Sequence, residues 1–212
     1  GLRVLLLDAD LNGPSQHLIW NLGPVRVSDD LTRIVAEPVT DRLSVFSVGQ
    51  LAGSGKLPVR WGQGDALEFL RFLGATLDVE GFDVLVVDLP AGTENSAELF
   101  LGHRETDARA EKLVVVTNAD PLARSDAEGH LRPRLRERWR PVVVENLAYA
   151  TGSLPDGTTA TVRIRGDGTE VPALAEKHRA RFAGSFPWAG SVAELAATPE
   201  VGALAAILLE DA

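Results

Sequence analysis

Short apolar runs punctuate the chain at Leu2–Leu7, Leu43–Val48, Phe82–Val87, Leu113–Thr117, Val142–Val144 and Phe182–Phe186. Their near-continuous hydrophobicity fits strands buried on both faces, as in a parallel sheet covered by helices, better than the alternation of a half-wet antiparallel sheet. Helical periodicity fills the gaps. Leu67, Leu70, Leu73 and Leu77 form one stripe across Ala66–Leu77. Ser125 with Glu128, and Ser191 with Glu194, have capping-box spacing. Thr198-Pro199-Glu200 opens a last helix with Val201, Leu204, Ala205 and Leu208 on its apolar face. This alternation predicts an α/β fold, a doubly wound mostly parallel sheet with helices on both faces. Thr158–Ile164 breaks the rhythm: β-branched residues alternate with others up to Gly166-Asp167-Gly168, predicting a small inserted β-ribbon over 158–169.

Charge and composition narrow the function classes. With 21 Lys and Arg against 30 Asp and Glu, the formal net charge is −9, which opposes non-specific attraction to nucleic acid or an anionic membrane. No apolar run approaches the ~20 residues needed to span a bilayer. The N-terminal run is too short for a signal-peptide core and enters Asp8 and Asp10 directly, so a cytoplasmic location is expected. The sequence contains neither Cys nor Met. Zero cysteine excludes disulfides, thiolate metal sites and cysteine nucleophiles from this chain. His17, His103, His130 and His178 lack metal-ligand spacing. Arg132, Arg134, Arg136, Arg138 and Arg140 surround Trp139; a helix stripe of Leu131, Leu135 and Trp139 with wet arginine flanks suits this acidic chain better than nucleic-acid contact.

In an open parallel sheet, ligands bind beyond the carboxyl ends of the strands, so the residues just after each run carry the information. They are Asp8-Ala9-Asp10, Asp88-Leu89-Pro90-Ala91-Gly92-Thr93, Thr117-Asn118-Ala119-Asp120-Pro121 and Glu145-Asn146. Val84–Val87 followed by Asp88 is the pattern of a Walker B strand, whose carboxylate holds Mg²⁺ through its water shell beside a nucleotide's phosphates. Gly92 would let a backbone N–H approach a γ-phosphate. A plain strand end leading into a Pro-Gly turn is equally compatible. Asp8 and Asp10 form a pair able to position or deprotonate water, or else a solvated strand end. Gly53-Ser54-Gly55-Lys56 lacks the earlier Gly and following Ser or Thr of a Walker A loop, which favours a surface loop.

Taken together, the segments resemble the Mrp/ApbC family of P-loop ATPases, relatives of MinD and ParA. The resemblance rests on Gly1–Ser15 with its Asp-Ala-Asp-Leu-Asn-Gly-Pro-Ser, Leu43–Gly49 with Arg60-Trp61-Gly62, and Asp83–Thr93. Val114–Asp126, Val144–Tyr149 with its Val-Glu-Asn, and Phe182–Pro187 continue it in order. It spans nearly the whole chain as a single nucleotide-hydrolase domain over 1–212. It implies an ATP- and Mg²⁺-dependent ATPase in which Asp10 positions the attacking water and Asp8 supports the metal region. Asp88 would be the Walker B carboxylate, Gly92 part of the second switch, and Asn146 the contact to the adenine edge. A homodimer and a protein client are further implications.

Two departures shape the expectation. The family's Gly-rich, double-lysine phosphate loop would lie upstream of the position matching Gly1, together with the first strand and helix, so a fragment is expected. Without that loop, tight ATP binding by the chain alone is not expected. The family's Cys-x-x-Cys falls where this chain reads Ala150-Thr-Gly-Ser-Leu-Pro-Asp-Gly157, so an iron–sulfur cluster at the usual site is not expected. The competing reading is a degenerate scaffold of the same fold, or a ParA/MinD-like positioning ATPase.

Overall fold

The computed structural model describes residues 1–52, 63–90, 112–132 and 139–210. They fall into two compact units, Gly1–Glu105 and Thr106–Ala212. The architecture is α/β with parallel pairing at the centre of both sheets, as the apolar runs predict.

In the first unit, β1 (Val4–Asp8) is flanked by two parallel neighbours, β5 (Leu43–Ser47) and β6 (Val84–Asp88). The short β4 (Glu37–Pro38) adds antiparallel to β5. A separate hairpin joins β2 (Arg26–Val27) to β3 (Ile34–Val35). Helix α1 (Gln16–Ile19) follows the loop after β1, and α2 (Gln63–Thr76) lies between β5 and β6 in sequence. Leu5, Leu7 and Phe46 of the sheet pack with Leu70, Leu73 and Leu77, three of the four leucines of the anticipated stripe; the side chain of Leu67 lies outside those described. Burial of such side chains contributes roughly 1.5–3 kcal/mol each, which explains why the stripe dictates the helix. Three adjacent strands ending in register set the site: Asp8 lies opposite Ser47 on one side and Asp88 on the other.

In the second unit, β8 (Val142–Ser153) runs between the parallel strands β7 (Val114–Thr117) and β10 (Arg181–Pro187), and β9 (Thr159–Arg163) pairs antiparallel with the far half of β8. The β8–β9 pair is the inserted ribbon. Its turn lies earlier than the Gly166–Gly168 segment suggests: Leu154 N–H donates to Thr158 O and Gly157 takes φ +83°. Gly166–Gly168 instead leads into the helix that begins at Glu170, whose carboxylate accepts the N–H groups of Asp167 and Gly168. β8 outruns Val142–Val144 because its ribbon half is polar and exposed, invisible to an apolar-run criterion.

Helix α3 (Pro121–His130) begins earlier than the Ser125–Glu128 pair suggests. Asp120 Oδ1 accepts the Leu122 N–H at 2.9 Å, and Pro121 supplies a preset φ with no N–H to satisfy, so Asp-Pro is the stronger start. Helices α4 (Glu170–Lys177), α5 (Val192–Ala196) and α6 (Pro199–Leu209) follow. The Ser191–Glu194 box is present: Glu194 N–H donates to Ser191 Oγ, while the Glu194 carboxylate accepts the Gly190 N–H. Val142, Val143, Val144, Trp139, Val171 and Leu174 are among the buried residues of this unit. Among the described residues, no helix is long and apolar enough to cross a membrane.

Candidate functional site

The site in the first unit is built on the register row Ser47–Asp8–Asp88. Asp8 is fully buried, a location that costs several kcal/mol for an ion unless donors surround it. They do. Its Oδ2 accepts the Ser47 hydroxyl at 2.7 Å and the N–H groups of Ser15 at 3.1 Å and Gln16 at 3.0 Å; its Oδ1 accepts the Asp10 N–H at 3.1 Å. The carboxylate therefore pins both ends of the 10–15 loop to the strand.

Asp10 shapes the middle of that loop. Its Oδ1 accepts the N–H groups of Asn12 at 2.9 Å and Gly13 at 3.0 Å, an Asx turn that fixes the carboxylate's direction. Asp10 is partly exposed, so a water molecule can reach it, whereas Asp8 is enclosed.

Asp88, partly buried at the end of β6, accepts the Gln16 side-chain amide on Oδ2 at 2.8 Å. Gln16 Oε1 in turn accepts the Trp20 indole N–H at 3.1 Å. Burial pushes the Asp88 carboxyl above its ordinary range; the Gln16 hydrogen bond opposes this, and the charges of Asp8 and Asp10 add to it. A carboxylate crowded by two like charges and half withdrawn from water is a place where a divalent cation relieves repulsion. Among the described residues, no cluster of three or more His, Cys, Asp or Glu forms a full metal shell. One carboxylate and a water shell would suit Mg²⁺, which dehydrates reluctantly; Asp88 is the group that would hold such an ion, whereas the Asp8 carboxylate already accepts four hydrogen bonds that hold the loop.

Sequence reasoning missed Ser47 and Gln16. Ser47 ends an apolar run, the very position where site residues are sought, yet a lone serine carries no motif. His17 Nδ1 lies 3.4 Å from Ser47 Oγ, and a Cβ at Gly49 would sit 2.1 Å from that nitrogen, so glycine is required there for the close approach.

Asn146 belongs to the second unit. Residues Glu145 and Tyr149 of β8 span the same register interval as Ser185 and Pro187 of β10, a bulge containing Asn146 and the left-handed Leu147 at φ +54°. Asn146 Oδ1 accepts the Leu147 N–H at 2.9 Å. Bulges re-aim side chains out of a pleat, and here the extra residues lift Asn146 out of the regular ladder. Glu145 beside it is fully buried, held by Arg163 Nη2 at 2.8 and 3.0 Å and by the Ser185 hydroxyl. Gly92, Gly53–Lys56, Arg60–Gly62, Arg134, Arg136 and Arg138 lie outside the described residues.

Comparison with known proteins bears on the fold and the family. A nucleotide-binding protein of Archaeoglobus fulgidus solved with ADP superposes with TM-score 0.65 at 24% identity, covering 96% of this chain and 75% of that one. The septum site-determining protein MinD of Pyrococcus horikoshii, solved with Mg-ADP, gives TM-score 0.53 at 12% identity over 96% of this chain and 76% of that one; both show the fold. The iron-sulfur cluster carrier protein of Aquifex aeolicus is 29% identical over 196 residues, 92% of this chain and 51% of that protein. The cytosolic Fe-S cluster assembly factor CFD1 of Mycosarcoma maydis is 31% identical over 195 residues, 87% of this chain and 50% of that protein. The chain spans about half the length of the curated relatives it matches. The ParA family model, described as NUBPL iron-transfer P-loop NTPase, matches residues 1–205, and the chain belongs to that family.

Proposed function

We propose that this chain is the switch-bearing part of an Mg²⁺-dependent ATP-binding and ATP-hydrolysing protein, its two units forming one nucleotide-hydrolase domain. The observation that supports this reading is the level row Ser47–Asp8–Asp88 with Gln16 bridging from the loop after β1 to the end of β6. Bound Mg²⁺ would neutralise phosphate charge. Asp88 would hold its water shell, and Asp10, aimed by its Asx turn, would orient the attacking water. Asp8 keeps the loop in place. Asn146 would meet the adenine edge through its amide. Gly92 is proposed for the second switch, and the phosphate-cradling loop for sequence upstream of Gly1.

Relatives are named for iron–sulfur cluster carriage and assembly. This sequence has no cysteine, so any thiolate ligands to such a cargo would have to come from elsewhere, and cargo handling by the usual site is not part of the proposal. That absence is what favours the second reading, a scaffold of the same fold. A homodimer, a protein client and a cytoplasmic location are proposed with the ATPase reading.

The test is Asp10→Ala in the gene product read from upstream of Gly1. Turnover is expected to fall at least about a hundredfold, the usual span for a lost proton-handling group, with nucleotide affinity nearly unchanged. Unchanged turnover removes Asp10 from the mechanism; no nucleotide binding by the parent protein favours the scaffold.

A further inference from the structure

One residue of the first unit, Gln16, is tied to both carboxylates that end the adjacent strands β1 and β6. Its backbone N–H donates to Asp8 Oδ2 at 3.0 Å and its side-chain Nε2 to Asp88 Oδ2 at 2.8 Å. At the other end of the amide, Oε1 accepts the Trp20 indole N–H at 3.1 Å, and the Gln16 carbonyl accepts the Trp20 backbone N–H at 3.0 Å across the single turn of α1.

Chemistry fixes the direction of this relay. An indole nitrogen can only donate and an ionised carboxylate can only accept, so the amide between them has one orientation, oxygen toward Trp20 and NH₂ toward Asp88. A carboxylate or an ammonium in its place would satisfy one end and leave the other unmet. A side chain with a donor and an acceptor is required, and glutamine supplies both with the reach to span the gap.

The effect is on Asp88. Its Oδ2 is committed to Gln16, whereas among the described residues no donor reaches its Oδ1. Asp8, by contrast, spends both oxygens on four donors. Holding one oxygen of a carboxylate sets its plane and thereby the direction of the other. A divalent cation that keeps its water shell offers O–H donors, and Oδ1 is the acceptor left for them. The same amide runs from the end of the loop that carries Asp10 to the end of β6, so one side chain relates the two acidic groups to each other.

We propose that Gln16 is a positioning residue: its amide, aimed by Trp20, presents the free oxygen of Asp88 to the water shell of a divalent cation and keeps that oxygen in a fixed relation to Asp10. This role rests on Asp88 being the carboxylate that holds the cation.

The test measures the affinity of Mn²⁺, a paramagnetic stand-in for Mg²⁺, by EPR in the ADP-saturated gene product read from upstream of Gly1. Gln16→Met keeps the volume and the backbone tether to Asp8 but deletes both side-chain bonds. It is expected to weaken Mn²⁺ binding about tenfold, the low end of what the outer partners of metal sites contribute. Trp20→Phe leaves the amide but removes its aim, with an expected loss of about threefold. Adding Gln16→Met to Asp88→Asn should change nothing further, because Gln16 acts through Asp88, whereas a merely structural role would weaken both backgrounds by the same factor. Unchanged affinity in a folded Gln16→Met or in Trp20→Phe overturns the relay, as does an equal loss in both backgrounds. Unchanged affinity in Asp88→Asn alone removes Asp88 as the cation's carboxylate and the role of Gln16 with it, so the two failures are told apart.

Discussion

Each unit places a fully buried carboxylate on its central strand with a serine across the ladder: Asp8 beside Ser47 in the first, Glu145 beside Ser185 in the second. They are stabilised by opposite means. Asp8 is met by neutral donors, a hydroxyl and three backbone N–H groups from a loop and the start of α1. Glu145 is met by a guanidinium from the ribbon, with the Ser185 hydroxyl as its neutral donor. Dipoles spread over a loop tie that loop's conformation to the carboxylate, whereas an ion pair ties two strands together. The first arrangement suits a segment that responds to a ligand; the second suits a fixed platform for Asn146.

The sharpest way to break this contrast is Arg163→Met. Leaving Glu145 buried without its cation should destabilise the protein by about 3 kcal/mol, read from urea denaturation, and adding Glu145→Gln should recover most of that loss. Asp8→Asn comes next. Replacing an acceptor-only carboxylate with an amide that turns a donor toward other donors should cost about 2 kcal/mol and speed hydrogen exchange at Ser15 and Gln16, with β9 untouched. The smallest effect has the opposite sign. A carboxyl whose folded pKa is raised binds its proton more tightly in the folded state, so stability falls as pH climbs from the ordinary 3.8 through the raised value. Asp88→Asn should therefore raise Tm at neutral pH, with the gain disappearing in acid, even as the proposed hydrolysis is lost.

The sheet strands and α2 were legible because apolar burial dictates them locally: Leu5, Leu7, Leu70 and Leu73 are spaced for one buried face and occupy it. The start of α3 is ambiguous in the sequence because two capping signals compete, and Asp120-Pro121 outweighs Ser125. Asp8, Asp10 and Asp88 stood out as acidic ends of apolar runs. Ser47 and Gln16 did not, since their significance is entirely relational: Ser47 matters because register sets it opposite Asp8, 39 residues away in sequence, and Gln16 because it reaches Asp88 across 72.

The indole of Trp20 lies two hydrogen bonds from Asp88, through the single amide of Gln16. Indole emission responds to the polarity and bonding at its nitrogen, so displacement of Gln16 from Asp88 is transmitted to a fluorophore the chain already carries. A ligand that displaced Gln16 would thereby acquire an optical signature without any attached label, to be separated from the emission of the other three tryptophans.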